Sequence, residues 1–131
     1  FSDDRMDRKA LVVGVAIGGS TKAYPFDLLS GMLVISDSLG GGEVLVYLES
    51  DTDTARVYDR EVDGRVLTFS MAEDGHGAFT VLVDAETGSR WLALTGKAID
   101  GPLDGRVLNR ALSHLSFWFA WKDWNPDTEI Y

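Results

Sequence analysis

Short apolar runs separated by glycine-rich turns set the pattern of this chain, and the runs have the length of strands rather than helices. Leu11, Val12, Val13, Val15 and Ile17 lead into Gly18, Gly19 and Ser20, and residues 21–24 run back, which predicts a hairpin. Pro25 suits the first position of a helix, so a short helix is predicted over 25–30, stopped by Gly31. Residues 32–37 and 43–48 are nearly continuously apolar on either side of Gly40, Gly41 and Gly42, as central strands buried on both faces are. Residues 55–62 and 65–70 instead alternate polar with apolar around Asp63 and Gly64, which predicts a third hairpin with one wet face. A fourth is predicted from 78–84 and 89–94 around the turn at 85–88. Residues 96–104 read as a loop with one bridge, and 106–112 as a further strand.

The closing segment changes period. Ser113 can cap a helix over 114–124 that Asn125 and Pro126 would end, and His114, Phe117, Trp118, Trp121 and Trp124 then fall on one face. Stacked indoles suit flat ligands such as sugars or quinones, but helical spacing favours packing against strands. Trp124 and Phe119, at the helix end and off that face, are the candidates for an interaction surface. The fold expected is mainly β: an antiparallel, hairpin-rich sheet or a partly open barrel or sandwich, with the short helix near 25–30 and the aromatic helix packed on it. Residues 1–9 read as a flexible lead and 10–131 as a single β-rich domain.

Composition narrows the function classes. A formal net charge of −9 leaves no clustered basic surface for phosphates, so a nucleic-acid partner is not expected. No apolar run reaches the roughly 20 residues of a membrane span. Membrane association is expected only through a partner or through a signal peptide, lipid anchor or membrane helix preceding Phe1. With no cysteine there is no disulfide framework, thiolate metal site or cysteine nucleophile.

Candidate chemistry is sparse. Glu49, Asp51 and Asp53 place carboxylates on alternate residues, a spacing calcium accepts, but without the glycine and distal glutamate of an EF-hand loop. A solvated acidic turn is the simpler reading. His76 lies in a loop and His114 at the start of the aromatic segment, without the close spacing of a zinc site. The Gly18 and Gly40 clusters are hairpin tips rather than phosphate cradles, and no nucleophile elbow is present. No catalytic residue is assigned and no cofactor is expected.

Several segments in order carry a resemblance: Ala23-Tyr24-Pro25, Asp37-Ser38-Leu39-Gly40-Gly41, residues 58–69, Glu86-Thr87-Gly88-Ser89-Arg90-Trp91, residues 94–103, and Phe117-Trp118-Phe119-Ala120-Trp121 through Pro126-Asp127-Thr128. Together they resemble the bacterial and archaeal family known as domain of unknown function 3179, over essentially the whole domain. Members are commonly exported or envelope-associated, so the resemblance implies an extracytoplasmic location. Many members carry a Cys-Pro-x-Cys-Gly stretch after the strand aligned with 44–48 and a histidine near the start of the preceding strand. This chain has residues 49–53 and Met32 at those places, so a thiolate metal or redox role is not implied for it. The expectation is a non-catalytic, extracytoplasmic structural or interaction domain with a protein partner, of the kind that serves as an accessory subunit of an envelope or membrane complex. The alternative is a ligand- or calcium-binding domain, or an enzyme, using the acidic loop 49–53.

Overall fold

A computed structural model describes residues 5–26, 31–75, 77 and 79–131. These residues form thirteen strands and one α-helix. The strands are β1 (Leu11–Ile17), β2 (Ser20–Pro25), β3 (Met32–Leu39), β4 (Gly42–Glu49), β5 (Thr54–Asp59), β6 (Glu61–Val62), β7 (Arg65–Val66), β8 (Phe69–Met71), β9 (Val81–Asp84), β10 (Arg90–Leu92), β11 (Ala98–Asp100), β12 (Ser113–Phe117) and β13 (Glu129–Ile130). The helix α1 spans Trp118–Trp124. Three sheets result, ordered β12-β1-β2-β13, β3-β4-β5 and β11-β10-β9-β8, with β6 and β7 as a separate hairpin. Pairing is antiparallel throughout except where β13 runs parallel to β2. The predicted mainly β class holds, in its open form: the sheets do not close into a barrel.

Strand alternation explains the layering. On β4, Val44, Val46 and Leu48 face one core together with Val13, Val15, Tyr24 and Ile35, while Leu45 and Tyr47 face a second core with Tyr58, Leu67, Leu82 and Trp91. The sheet β3-β4-β5 is therefore the central layer, which is why 43–48 reads as continuously apolar. On β1 and β2, Val12 and Ala23 point the other way and pack under Trp118 and Trp121 in a third, smaller core. Helix, first sheet, central sheet and third sheet thus stack in that order.

The four hairpin turns hold, but several elements differ from the prediction. Pro25 ends β2 opposite Val12, and residues 27–30 of the predicted short helix lie outside the described residues. The third hairpin is brief: β6 and β7 pair for two residues each, and the chain then leaves to put Phe69 in the third sheet. Residues 106–112 form no continuous strand, because they pass from one sheet to another, bridging Lys97 through Val107 and Tyr58 through Arg110. The predicted helix over 114–124 is half strand. Residues 113–117 complete the open edge of β1, from Leu11 opposite Phe117 to Val15 opposite Ser113, and only 118–124 are helical. Pairing an otherwise bare edge outweighs the weak helix preference of aromatic residues, which suit strands equally well.

Candidate interaction site

Four polar side chains among the described residues are buried: Arg60, Asp84, Ser89 and Thr128. Asp84, 1% exposed at the end of β9, accepts the Trp91 indole N–H on Oδ2 at 2.8 Å. Its Oδ1 accepts the Thr87 backbone N–H at 2.6 Å and its two oxygens share the Thr87 hydroxyl. The Thr87 and Ser89 hydroxyls lie 2.7 Å apart, and Ser89 Oγ accepts the Leu103 N–H at 3.0 Å. Gly101 sits so close to Ser89 that a Cβ there would fall 2.7 Å from the Ser89 Cα. The Thr-Gly-Ser turn and the Asp-Gly-Pro loop are thus two parts of one knot around the buried Asp84 and Ser89 side chains.

A second set of polar contacts ties the first sheet to the central one. Asp37 Oδ2 accepts Lys22 Nζ at 2.7 Å and the Tyr24 hydroxyl at 2.8 Å. Burial pushes the Asp37 carboxyl up, but hydrogen bonds from Lys22, Tyr24 and the Ser38 N–H outweigh it and hold the group below the usual carboxylate range. Burial, followed by the bond to Asp37, pushes the Tyr24 hydroxyl well above the usual phenol range. Arg60, 8% exposed, donates to the carbonyls of Asp37 and Leu67 and pairs with Glu43 at 2.7 Å. The Tyr58 hydroxyl donates to the Ala93 carbonyl at 2.7 Å, joining central and third sheets. Among the described residues every buried side-chain nitrogen and oxygen has a partner, so these groups are committed to the fold.

The acidic loop is a 3-10 turn over Ser50–Thr52. Ser50 clasps Gly31, its hydroxyl accepting the Gly31 N–H at 2.8 Å, and Glu49 Oε2 accepts the Tyr47 hydroxyl at 2.9 Å. Asp51 and Asp53 are exposed, Asp53 in the left-handed conformation at φ 51°. Among the described residues no group of three or more His, Cys, Asp or Glu side chains is placed to hold a metal ion. His76 lies outside the described residues.

Apolar surface is found instead around β12 and α1. Trp118 and Trp121 are buried, and the Trp121 indole donates to Thr128 Oγ1 at 2.9 Å, which anchors the chain after Pro126. Trp124 is 85% exposed, and Leu115 and Phe117 are about half exposed on β12. Phe119 stacks on Phe117, with ring centres 6.1 Å apart, under the Arg8 guanidinium. Residues 5–9, which fall in the expected lead 1–9, close the helix start together with Ala10: Ala10 and Arg8 carbonyls accept the Trp118 and Phe119 N–H groups, and Met6 packs on the third core. Between β12 and α1 runs a groove of about 520 Å³ lined by His114, Leu115, Ser116, Trp121, Trp124 and Asn125, together with Ala16 and Ala120. Sequence reasoning picked out Trp124 and Phe119 but placed His114 on the helix face. In the structure it is a strand residue whose ring lies 6.5 Å from that of Trp121.

The model of a family described as a protein of unknown function, DUF3179, matches residues 1–128. The chain belongs to this family. No curated protein and no solved structure is a significant match. Thr87, Ser89 and Trp91 of the knot, Arg60, and the Trp121–Thr128 pair lie in the segments that carry the resemblance, so in this chain those segments contribute to the scaffold. No helix among the described residues is long and apolar enough to cross a membrane.

Proposed function

We propose that this DUF3179 chain is a non-catalytic structural and interaction domain, acting outside the cytoplasm as an accessory part of an envelope or membrane assembly. The observation that carries this reading is the division of chemistry across the molecule. The buried polar side chains are spent on internal hydrogen bonds, while four of the exposed large apolar side chains, Leu115, Phe117, Phe119 and Trp124, lie on one edge strand and the adjoining helix. A surface of that kind is what a protein partner covers. The location rests on the family resemblance.

The test is purification from the native source under mild conditions, followed by subunit identification and metal analysis. A stoichiometric protein partner in a membrane or envelope fraction is the expected result. A monomer carrying stoichiometric metal, with a melting temperature that drops on chelation, would overturn the reading in favour of the acidic loop at Glu49, Asp51 and Asp53.

A further inference from the structure

Among the described residues one sheet edge stands apart from the rest. Residues 105–111 run along the outer sides of β11 and β5, with bridges at Val107 and Arg110 and with Ala98, Asp59 and Ala111 donating N–H groups across the gaps. β3 packs against β8. β13 is two residues long and carries Glu129, a charge that discourages further pairing. β12 ends its sheet with five residues, Ser113–Phe117, without an acidic, lysine or arginine side chain.

The phase of the ladder shows which groups β12 offers. Trp118 N–H bonds to the Ala10 carbonyl, continuing the register of Leu11 opposite Phe117. In an antiparallel ladder, bonded positions alternate, so Ser116 and His114 bond to β1 while the N–H and C=O of Leu115 and Ser113 point outwards. The same phase, carried across the sheet, aims Ala23 of β2 away from β1, and the Ala23 carbonyl indeed accepts the Tyr131 N–H. A row of outward backbone groups is completed by another extended strand.

We propose that the β12 edge is a peptide-binding site: an extended segment of a partner protein adds to it as a further strand and places an apolar or aromatic side chain in the groove against α1. The proposal rests on the reading of the domain as an interaction module. The groove supplies the side-chain pocket, walled by His114, Trp121 and Trp124. Exposed Asp123 and Asp127 neighbour Trp124 in the chain, Lys122 is half-buried on the same helix, the Arg8 guanidinium lies at the other, Phe119 end, and the chain carries a net charge of −9. The fitting segment therefore has Lys or Arg beside its apolar positions, drawn in by opposite charge. A second copy of the chain would bring its own −9 to the contact, which disfavours self-pairing.

The test is selection of a random dodecapeptide display library on the full chain, then binding of the synthesised consensus peptide by fluorescence polarisation. Alternating apolar residues flanked by Lys or Arg are expected, with slowed amide exchange at Leu115 on binding. Trp124→Ala removes a largely exposed wall and should weaken binding at least tenfold, as should N-methylation of the peptide amides that face β12. Leu115→Pro removes one outward N–H at an edge position and should do the same if it folds. Selection of no such peptide, affinity unchanged in Trp124→Ala, or sedimentation as a dimer paired through β12 would each overturn the proposal. If a partner still co-purifies from the native source, only the strand-addition site is lost; a metal-loaded monomer removes the interaction reading itself.

Discussion

A single buried carboxylate, Asp84, gathers a tryptophan indole, a backbone N–H and a threonine hydroxyl. Removing it leaves the buried indole and the half-buried Thr87 N–H without their acceptor. Asp84→Ala should therefore lower stability by about 3 kcal/mol, measured by urea unfolding. Asp37 gives the pH-dependent counterpart. Its folded-state pKa lies below the ordinary value of 3.8, so its contribution is complete above that value and is lost as pH falls through the lower one. The difference in urea midpoint between the wild type and Asp37→Asn should be constant from pH 7 to pH 5 and shrink towards pH 2. A gap that widens on acidification would reverse the sign assigned here. Residues 84–88 are readable in sequence as a turn, because Thr-Gly carries local turn chemistry. The knot is not, because Ser89 and Trp91 reach it only after the two strands have paired and Leu103 arrives from a later loop.

At the scale of elements, the aromatic segment shows where periodicity misleads. His114, Phe117, Trp118, Trp121 and Trp124 have helical spacing, yet the first two belong to a strand and Trp124 faces solvent. Spacing of three and four also arises when a strand runs into a short helix, and nothing local reveals that β1 lacks a partner on one side. Trp118→Ala should cost about 3–5 kcal/mol, whereas Trp124→Ala should stay within about 0.5 kcal/mol of wild type, both by urea unfolding. The glycine inside β1 has a similar explanation. A Cβ at Gly14 would fall 2.3 Å from Trp121, so Gly14→Ala should displace the indole and destabilise by about 1–3 kcal/mol, with a shift in tryptophan emission. The strands around 11–17, 32–39 and 42–49 were the most legible elements, since their burial on one or both faces is written directly in their apolar runs.

For the whole molecule, the central sheet is the governing feature. β4 contributes alternate side chains to the first and second cores, and β1 and β2 contribute to the first and third, so the three cores are coupled through shared strands. Trp91 in the second core and Trp118 with Trp121 in the third should report one urea midpoint when followed in variants that keep each probe separately. Two midpoints would mean that the helix layer melts independently. The sheet β12-β1-β2-β13 carries a different consequence, one of timing. Its middle strands are made first and its flanking strands last, separated by some ninety residues of intervening chain, so the third core cannot close until residue 130 has left the ribosome. Until the aromatic segment arrives Val12 and Ala23 have nothing to cover them, so a fragment that stops short of Trp118 is expected to leave one face of its first hairpin sticky.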